Sequence, residues 1–364
     1  MTGAVLDLLA HSSSENKENN ILIGNPKITQ FKSSYKKHTP FSMQKFRIDH
    51  NKLRHLQENL STKIEFEIPR NGDLLNDIYL VVTLPNIYSS FHYGVSDYNK
   101  TKPYEFKWIK EIGVQMIKKI SIRADGITIQ EYDGEYLSII KERDYSYEKK
   151  QKWNKMVGNV NQLTDPASYI VNFFKNDKNV SQFGINDLSS CYPNVLYSNT
   201  VSDSDYMPSI QSRTLYIPLE TFFCQTSKHS LPLIALQYQK ITIDIEFRPL
   251  RELYIIKDSS GENIQPKKNN KTYSLYNFLQ PPKNTPDNLN VSIDNWNSDI
   301  HLMGNYIFLD KSERTYFAKN SHTFLYKEII TREEFSICET NSVNLKHCGL
   351  TSSFIWRFRR DDSY

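Results

Sequence analysis

The sequence predicts an all-β protein built from packed antiparallel sheets, and three observations carry that expectation. The first is a period of two. From Ile241 to Arg248 the apolar residues Ile241, Ile243, Ile245 and Phe247 fall on one side and Thr242, Asp244, Glu246 and Arg248 on the other, as a half-buried strand requires. The second is composition: aromatics are 13% of the chain, with 23 Tyr and 19 Phe, a bias that suits pleated surfaces. The third is punctuation, because Asn71-Gly72 and Asp125-Gly126 lie between apolar runs and readily take positive φ in tight turns. Burying the four apolar residues of the alternating stretch is worth roughly 1.5–3 kcal/mol each before entropy. Pro249 then stops the ladder, having no amide hydrogen to give.

The elements follow in order. Residues 1–24 read as an N-terminal arm, an apolar patch from Ala4 to Ala10 followed by a polar run. Asn25 to Phe41 is β-prone, with Pro26 and Pro40 near its ends. Phe41 to Asp49 is a strand, and His50 to Asn59 is polar and helix-permissive. Thr62 to Pro69 alternates again, with Ile64, Phe66 and Ile68 inward and Lys63, Glu65 and Glu67 outward. Arg70-Asn71-Gly72-Asp73 is a turn, and Ile78 to Leu84 is a short buried strand. A Tyr-rich loop spans Asn86 to about Lys107. Gln115 to Arg123 and Ile127 to Tyr132 form a hairpin across Ala124-Asp125-Gly126. Gly134 to Tyr145 and Glu148 to Met156 read as helices. Gly158 to Gln211 has no clear period and reads as a surface excursion. Thr214 to Leu219 and Leu231 to Phe247 complete the strands.

That makes at most eight strands by residue 249, and eight antiparallel strands in two sheets make a jelly roll. Composition alone does not separate it from other sandwiches. Leu250 to Ser298, with Pro266, Pro281, Pro282 and Pro286, reads as a linker with room for one extra strand. Ile300 to Leu309 resumes strand character, Asp310 is placed to cap a helix to Lys319, and His322 to Ile337 and Ser353 to Phe358 are further strand candidates. The expected domains are therefore 25–249 as a first roll, 250–298 as linker and 299–364 as the start of a second.

Composition excludes several classes. The 364 residues suffice for two or three domains. A net charge of +4, scattered through 24% charged residues, does not argue for nucleic acid. Cys191, Cys224, Cys338 and Cys348 form no C-x-x-C pair and read as reduced thiols. No apolar run approaches the ~20 residues of a membrane span, and neither a signal peptide nor a myristoylation start is expected. There is no G-x-S-x-G, H-E-x-x-H, P-loop or dinucleotide fingerprint, so no catalytic, cofactor or metal residue is expected. Asp49, His50 and His55 have no common metal spacing. The basic series from Lys141 to Lys155 reads as a solvated helical face.

Several stretches resemble one family, the major capsid proteins of the nucleocytoplasmic large DNA viruses. They are Asn25-Pro26 with Phe31; Arg70-Asn71-Gly72-Asp73; Tyr79-Leu80 with Val82 to Pro85; Tyr132-Asp133-Gly134-Glu135; Leu231 to Tyr238, ending Leu236-Gln237-Tyr238; Tyr306 to Asp310 with Glu313-Arg314 and Phe317; and Ile355-Trp356 with Phe358. The resemblance implies a double jelly roll, two sandwiches in tandem, here with the second roll incomplete. It implies a homotrimer with a pseudo-hexagonal outline, tiling an icosahedral shell beside neighbouring capsomers, minor capsid and penton proteins and near an internal viral membrane. It implies no direct nucleic-acid contact. Near the end the family has Asn-His-Pro where this chain has Lys346-His347-Cys348-Gly349. Two other readings remain open: a minor capsid paralogue, or a carbohydrate-binding jelly roll using Tyr88, Phe91, Tyr93, Tyr98 and Tyr104.

Overall fold

A computed structural model of the chain describes residues 29, 31–32, 37–50, 55–89, 105–167, 192, 208–257, 262–266, 273–279, 295–296, 298–332 and 351–358. Its elements run β1 (Phe41–Ile48), β2 (Leu56–Gln57), β3 (Thr62–Glu67), β4 (Leu74–Leu84), β5 (Glu105–Trp108), α1 (Ile112–Gln115), β6 (Ile117–Ala124) and β7 (Ile127–Tyr132). Then come α2 (Gly134–Asp144), α3 (Tyr147–Met156), α4 (Asn161–Thr164), β8 (Arg213–Pro218), β9 (Leu231–Pro232), β10 (Ile241–Phe247), β11 (Tyr254–Lys257), β12 (Asn263–Ile264), β13 (Asn295–Trp296), β14 (Ile300–Leu309) and α5 (Lys311–Lys319).

Two sheets build the roll. The first has the order β1-β14-β4-β8, with β9 added on β4; the second has the order β3-β10-β6-β7. All these pairings are antiparallel. The eight long strands nest. The outermost two in sequence, β1 and β14, pair with each other; inside them β3 pairs with β10 and β4 with β8; the innermost two, β6 and β7, form a hairpin. Successive pairs alternate between sheets, which is the wrapped double Greek key of a jelly roll.

The inner faces fill one continuous core. Leu80 and Val82 of β4, Leu302 of β14 and Ile217 of β8 share it with Phe66 of β3, Ile122 of β6 and Ile243 and Ile245 of β10. The β6–β7 turn has Asp125 at φ 48° and Gly126 at φ 85°, the two positive values of a two-residue type I′ connection.

Four expectations change. Ile300–Leu309 does not open a second roll: it lies between β1 and β4 and completes the first. A period-two pattern reports that a strand is half-buried, not which sheet it joins. Leu231 to Phe247 is not one strand, because turns over residues 232–239 separate β9 from β10. Leu250 to Ser298 is more than a linker: β11 pairs with β5 and β12, and Leu253, Tyr254, Ile256, Leu275 and Phe278 are buried in the core. The described parts of His322–Ile337 and Ser353–Phe358 carry no strand; a strand needs a paired edge, and a short extended segment without one is not stable in water.

By contacts the chain divides into two units, residues 41–330 with Tyr364, and residues 1–40 with 331–363. The described residues of the second unit contain no helix or strand. Its Phe354 and Trp356 rings stack at 6.4 Å. No helix among the described residues is long and apolar enough to cross a membrane.

Candidate functional site: a clamp at one end of the roll

The turn after β3 carries the chain from the second sheet to the first, and most of the family-motif residues gather there. Arg70 donates its guanidinium hydrogens to the carbonyls of Gln237 and, at 2.9 Å, Gln239. Gly72 lies against β14 so closely that an added Cβ would stand 3.0 Å from the Tyr306 Cβ and 3.3 Å from the Ile307 carbonyl. Only glycine fits there without displacing β14.

Asp73 is 3% exposed and uses both carboxylate oxygens. One accepts the Leu309 amide at 2.9 Å and the other accepts Arg314 Nε at 2.8 Å. Its own amide donates to Ile307 at 3.0 Å, and its carbonyl accepts from Ile234 at 3.2 Å. A single aspartate thus ties together β4, the end of β14, helix α5 and the 231–239 loop. Bonds to a charged acceptor are the stronger kind. Buried Tyr306 adds a fifth tie, its hydroxyl donating to the Pro69 carbonyl at 2.9 Å, and burial pushes that hydroxyl well above its usual range.

The rest of the loop is equally constrained. Leu236 donates to Leu233 at 3.2 Å and Gln239 to Leu236 at 3.3 Å. Asp125 of the β6–β7 turn accepts the Lys240 amide at 2.8 Å and returns a bond to the Lys240 carbonyl at 3.0 Å. Three loops therefore form one hydrogen-bonded end. Leu236 is packed against the core, but Tyr238 is 96% exposed and Ile127 73%.

The remaining motif residues are placed as follows. Asn71 is exposed. Asp310 precedes α5 with extended backbone; its carboxylate accepts the Ser312 hydroxyl at 2.9 Å, which holds it below the usual carboxylate range. Glu313 and Phe317 are half-buried on α5. Gly134 lies elsewhere, at the start of α2, where an added Cβ would meet the Ile117 and Val114 carbonyls at 2.4 Å each. Phe31 and Trp356 are 95% and 71% exposed. Asn25 and Pro26 lie outside the described residues, as does the Tyr-rich loop from residue 90 to 104. Sequence reasoning missed Ile127 and Gln239. An apolar residue directly after an Asp-Gly turn was the available signal for Ile127.

Two charged side chains elsewhere, Asp244 and Lys141, are structural. Asp244, expected on a solvated face, is 3% exposed because Lys63 and Arg123 close over it at 2.9 Å each. Lys141, expected on a solvated helical face, is buried against Glu111 at 2.6 Å and 4.9 Å from the Trp153 ring. Burial pushes the Cys224 thiol up to about 12, which keeps it protonated and inert. Among the described residues no group of three or more His, Cys, Asp or Glu is placed to hold a metal ion.

Nested strand pairs around one core, locked at one end by a buried carboxylate, define a jelly-roll protein of the kind found in viral capsid and lectin domains. The sequence model described as the major capsid protein N-terminus matches residues 29–310, and the chain belongs to that family. The match ends one residue beyond β14. The chain is 28% identical over 348 residues to capsid protein 1 of Acanthamoeba polyphaga mimivirus, covering 95% of this chain and 46% of that protein. It is 28% identical over 368 residues to the major capsid protein of Phaeocystis pouchetii virus, covering 99% and 59%. The chain thus spans about half the length of the curated relatives it matches. Among solved structures it is similar to the PBCV-1 virus capsid, with a TM-score of 0.47 and 17% identity, covering 81% of this chain and 48% of that one.

Proposed function

We propose that the chain is a structural virion protein, a non-catalytic subunit of an icosahedral capsid shell, and that it works as a homotrimer with a pseudo-hexagonal outline. The observation that carries this reading is the family match over residues 29–310, the stretch that also builds the complete roll from Phe41 to Leu309. The roll matched here corresponds to the first of two tandem rolls. The partners are further copies of the chain, neighbouring capsomers, and minor capsid and penton proteins, in a shell near an internal membrane and assembled from protein made in the host cytoplasm. A shell contact of this kind buries on the order of 2,000 Å² or more.

Quantitative mass spectrometry of purified particles tests the reading. The expected result is that this chain's peptides rank among the most abundant of the particle; their absence would overturn it. A second reading, a minor capsid paralogue, is favoured by one observation: a single virus, Acanthamoeba polyphaga mimivirus, has two matching relatives, capsid protein 1 and probable capsid protein 4. Peptides present at a small fraction of the main shell protein's abundance would select it.

A further inference from the structure

We propose that residues 322–330 form a detachable strap, docked on Phe222, that guards the free edge of β7 against pairing with other chains. The inference rests on the roll alone and stands apart from the shell reading.

The second sheet has the order β3-β10-β6-β7, so β7 pairs with β6 on one side only. An edge strand of this kind offers its unpaired backbone groups to any passing strand. β7 also carries an irregularity. Ile122 of β6 faces Gln130 and Arg123 faces Thr128, which leaves Ile129 with no residue opposite, as the extra residue of a bulge. The strap reaches β7 at that residue: the Tyr326 hydroxyl donates to the Ile129 carbonyl at 3.2 Å.

Side chains hold the strap along its length. It leaves α5 at His322, whose ring stacks on Phe317 at 5.0 Å and is hydrogen-bonded to the Phe317 carbonyl at 2.8 Å. The Phe324 and Tyr326 rings then pack on Phe222, at 6.4 and 5.3 Å between centroids. Phe222 is buried and is itself fixed to β7, its amide donating to the Gln130 side chain at 2.9 Å. It is the pad that sets Tyr326 over the bulge. Further on, Arg143 holds the Asp144 carboxyl at the end of α2 below its usual range, and Lys327 adds to that pull. Ile329 packs against the core.

The same contacts make the strap separable. Among the described residues no backbone-to-backbone hydrogen bond ties 322–330 to the roll, whereas β6, β7 and β10 are held by ladders. Leu325 and Ile330 are exposed. A segment held by a few ring contacts and one hydroxyl opens at a much lower free energy than the sheets beneath it.

Hydrogen exchange on the full chain tests this. The parent is compared with the double variant Phe324→Ala/Tyr326→Ala, which takes both rings off the pad and leaves every strand residue in place. Amides of Ile127–Tyr132 should exchange about tenfold faster in the variant, with those of β3 and β10 unchanged. Tryptic cleavage after Lys327 should accelerate by a similar factor. Equal exchange of β7 in the two chains, or cleavage after Lys327 that is no faster, would overturn the strap. A rise in exchange shared by β3 and β10 would overturn its separability, since the segment would then be part of the roll's global stability. Sedimentation reads the guarding role. At equal concentration the double variant should form larger species than the parent, and identical sedimentation of the two would overturn that role.

Discussion

At the scale of single residues, Asp73 does the most. Asp73→Ala should cost about 3 kcal/mol, chiefly by stranding the Leu309 amide at the end of β14. Arg314→Ala should cost less, about 1–2 kcal/mol: it leaves the buried Asp73 carboxylate one partner short, but the Leu309 amide keeps its bond, and Arg314, 57% exposed on its side chain, leaves space that water can enter. Calorimetric melting of the two variants checks the ranking, and equal losses would mean that the ion pair matters more than the strand end. His301 gives a pH effect. Burial, with Arg47 nearby, holds its imidazole below the usual range, against the opposing pull of Asp299 and Asp49. The unfolded chain takes up that proton near pH 6.5. The fold does so only at lower pH, so this contribution is present above about 6.5 and is lost as pH falls below it. His301→Gln should flatten the dependence of melting temperature on pH between about 7 and 5. Arg70, Gly72, Asp73 and Arg314 were visible in the sequence as motif residues. Their roles were not, because the Arg70 and Asp73 side-chain partners lie 167 to 241 positions away.

At the scale of the element, β10 carries the sharpest contrast. Ile243 is fully buried, while Thr242 lies on the outer face between Glu67 and Arg123. Ile243→Asp should lose several kcal/mol by burying an unpaired carboxylate. Thr242→Asp should be nearly neutral, its repulsion from Glu67 offset by Arg123. Chemical denaturation of both variants reads the difference. The alternation of β3 and β10 was legible because each carries apolar residues on one face only. The start of β4 was not, because a central strand buried on both sides at Leu74, Leu75 and Asn76 shows no alternation. The type I′ turn was legible from Asp125-Gly126 because its chemistry is local.

At the scale of the whole molecule, β14 decides where the domain ends. A fragment of residues 29–320 should melt cooperatively, whereas 29–298 should not, because removing β14 exposes the facing edges of β1 and β4 and opens the core beneath Leu302 and Tyr306. Circular dichroism on the two fragments distinguishes this from a boundary at residue 249. Seven of the eight long strands were readable from the sequence before residue 249. The identity of the eighth was not, since the last partner of a nested set is set by topology rather than by local pattern.

Nesting also sets a timetable for synthesis. β1 and its partner are about 260 residues apart. At roughly 5–20 residues per second, β1 emerges from the ribosome some ten to fifty seconds before anything can pair with it. The β6–β7 hairpin, by contrast, can close as soon as it is made, and each later strand finds its mate already waiting. The roll is thus laid down from its middle outward, and its first strand is the last to be covered. For that interval an unpaired edge bearing Phe41, Met43 and Phe46 stands open to pairing with other chains, until Leu309 has been added.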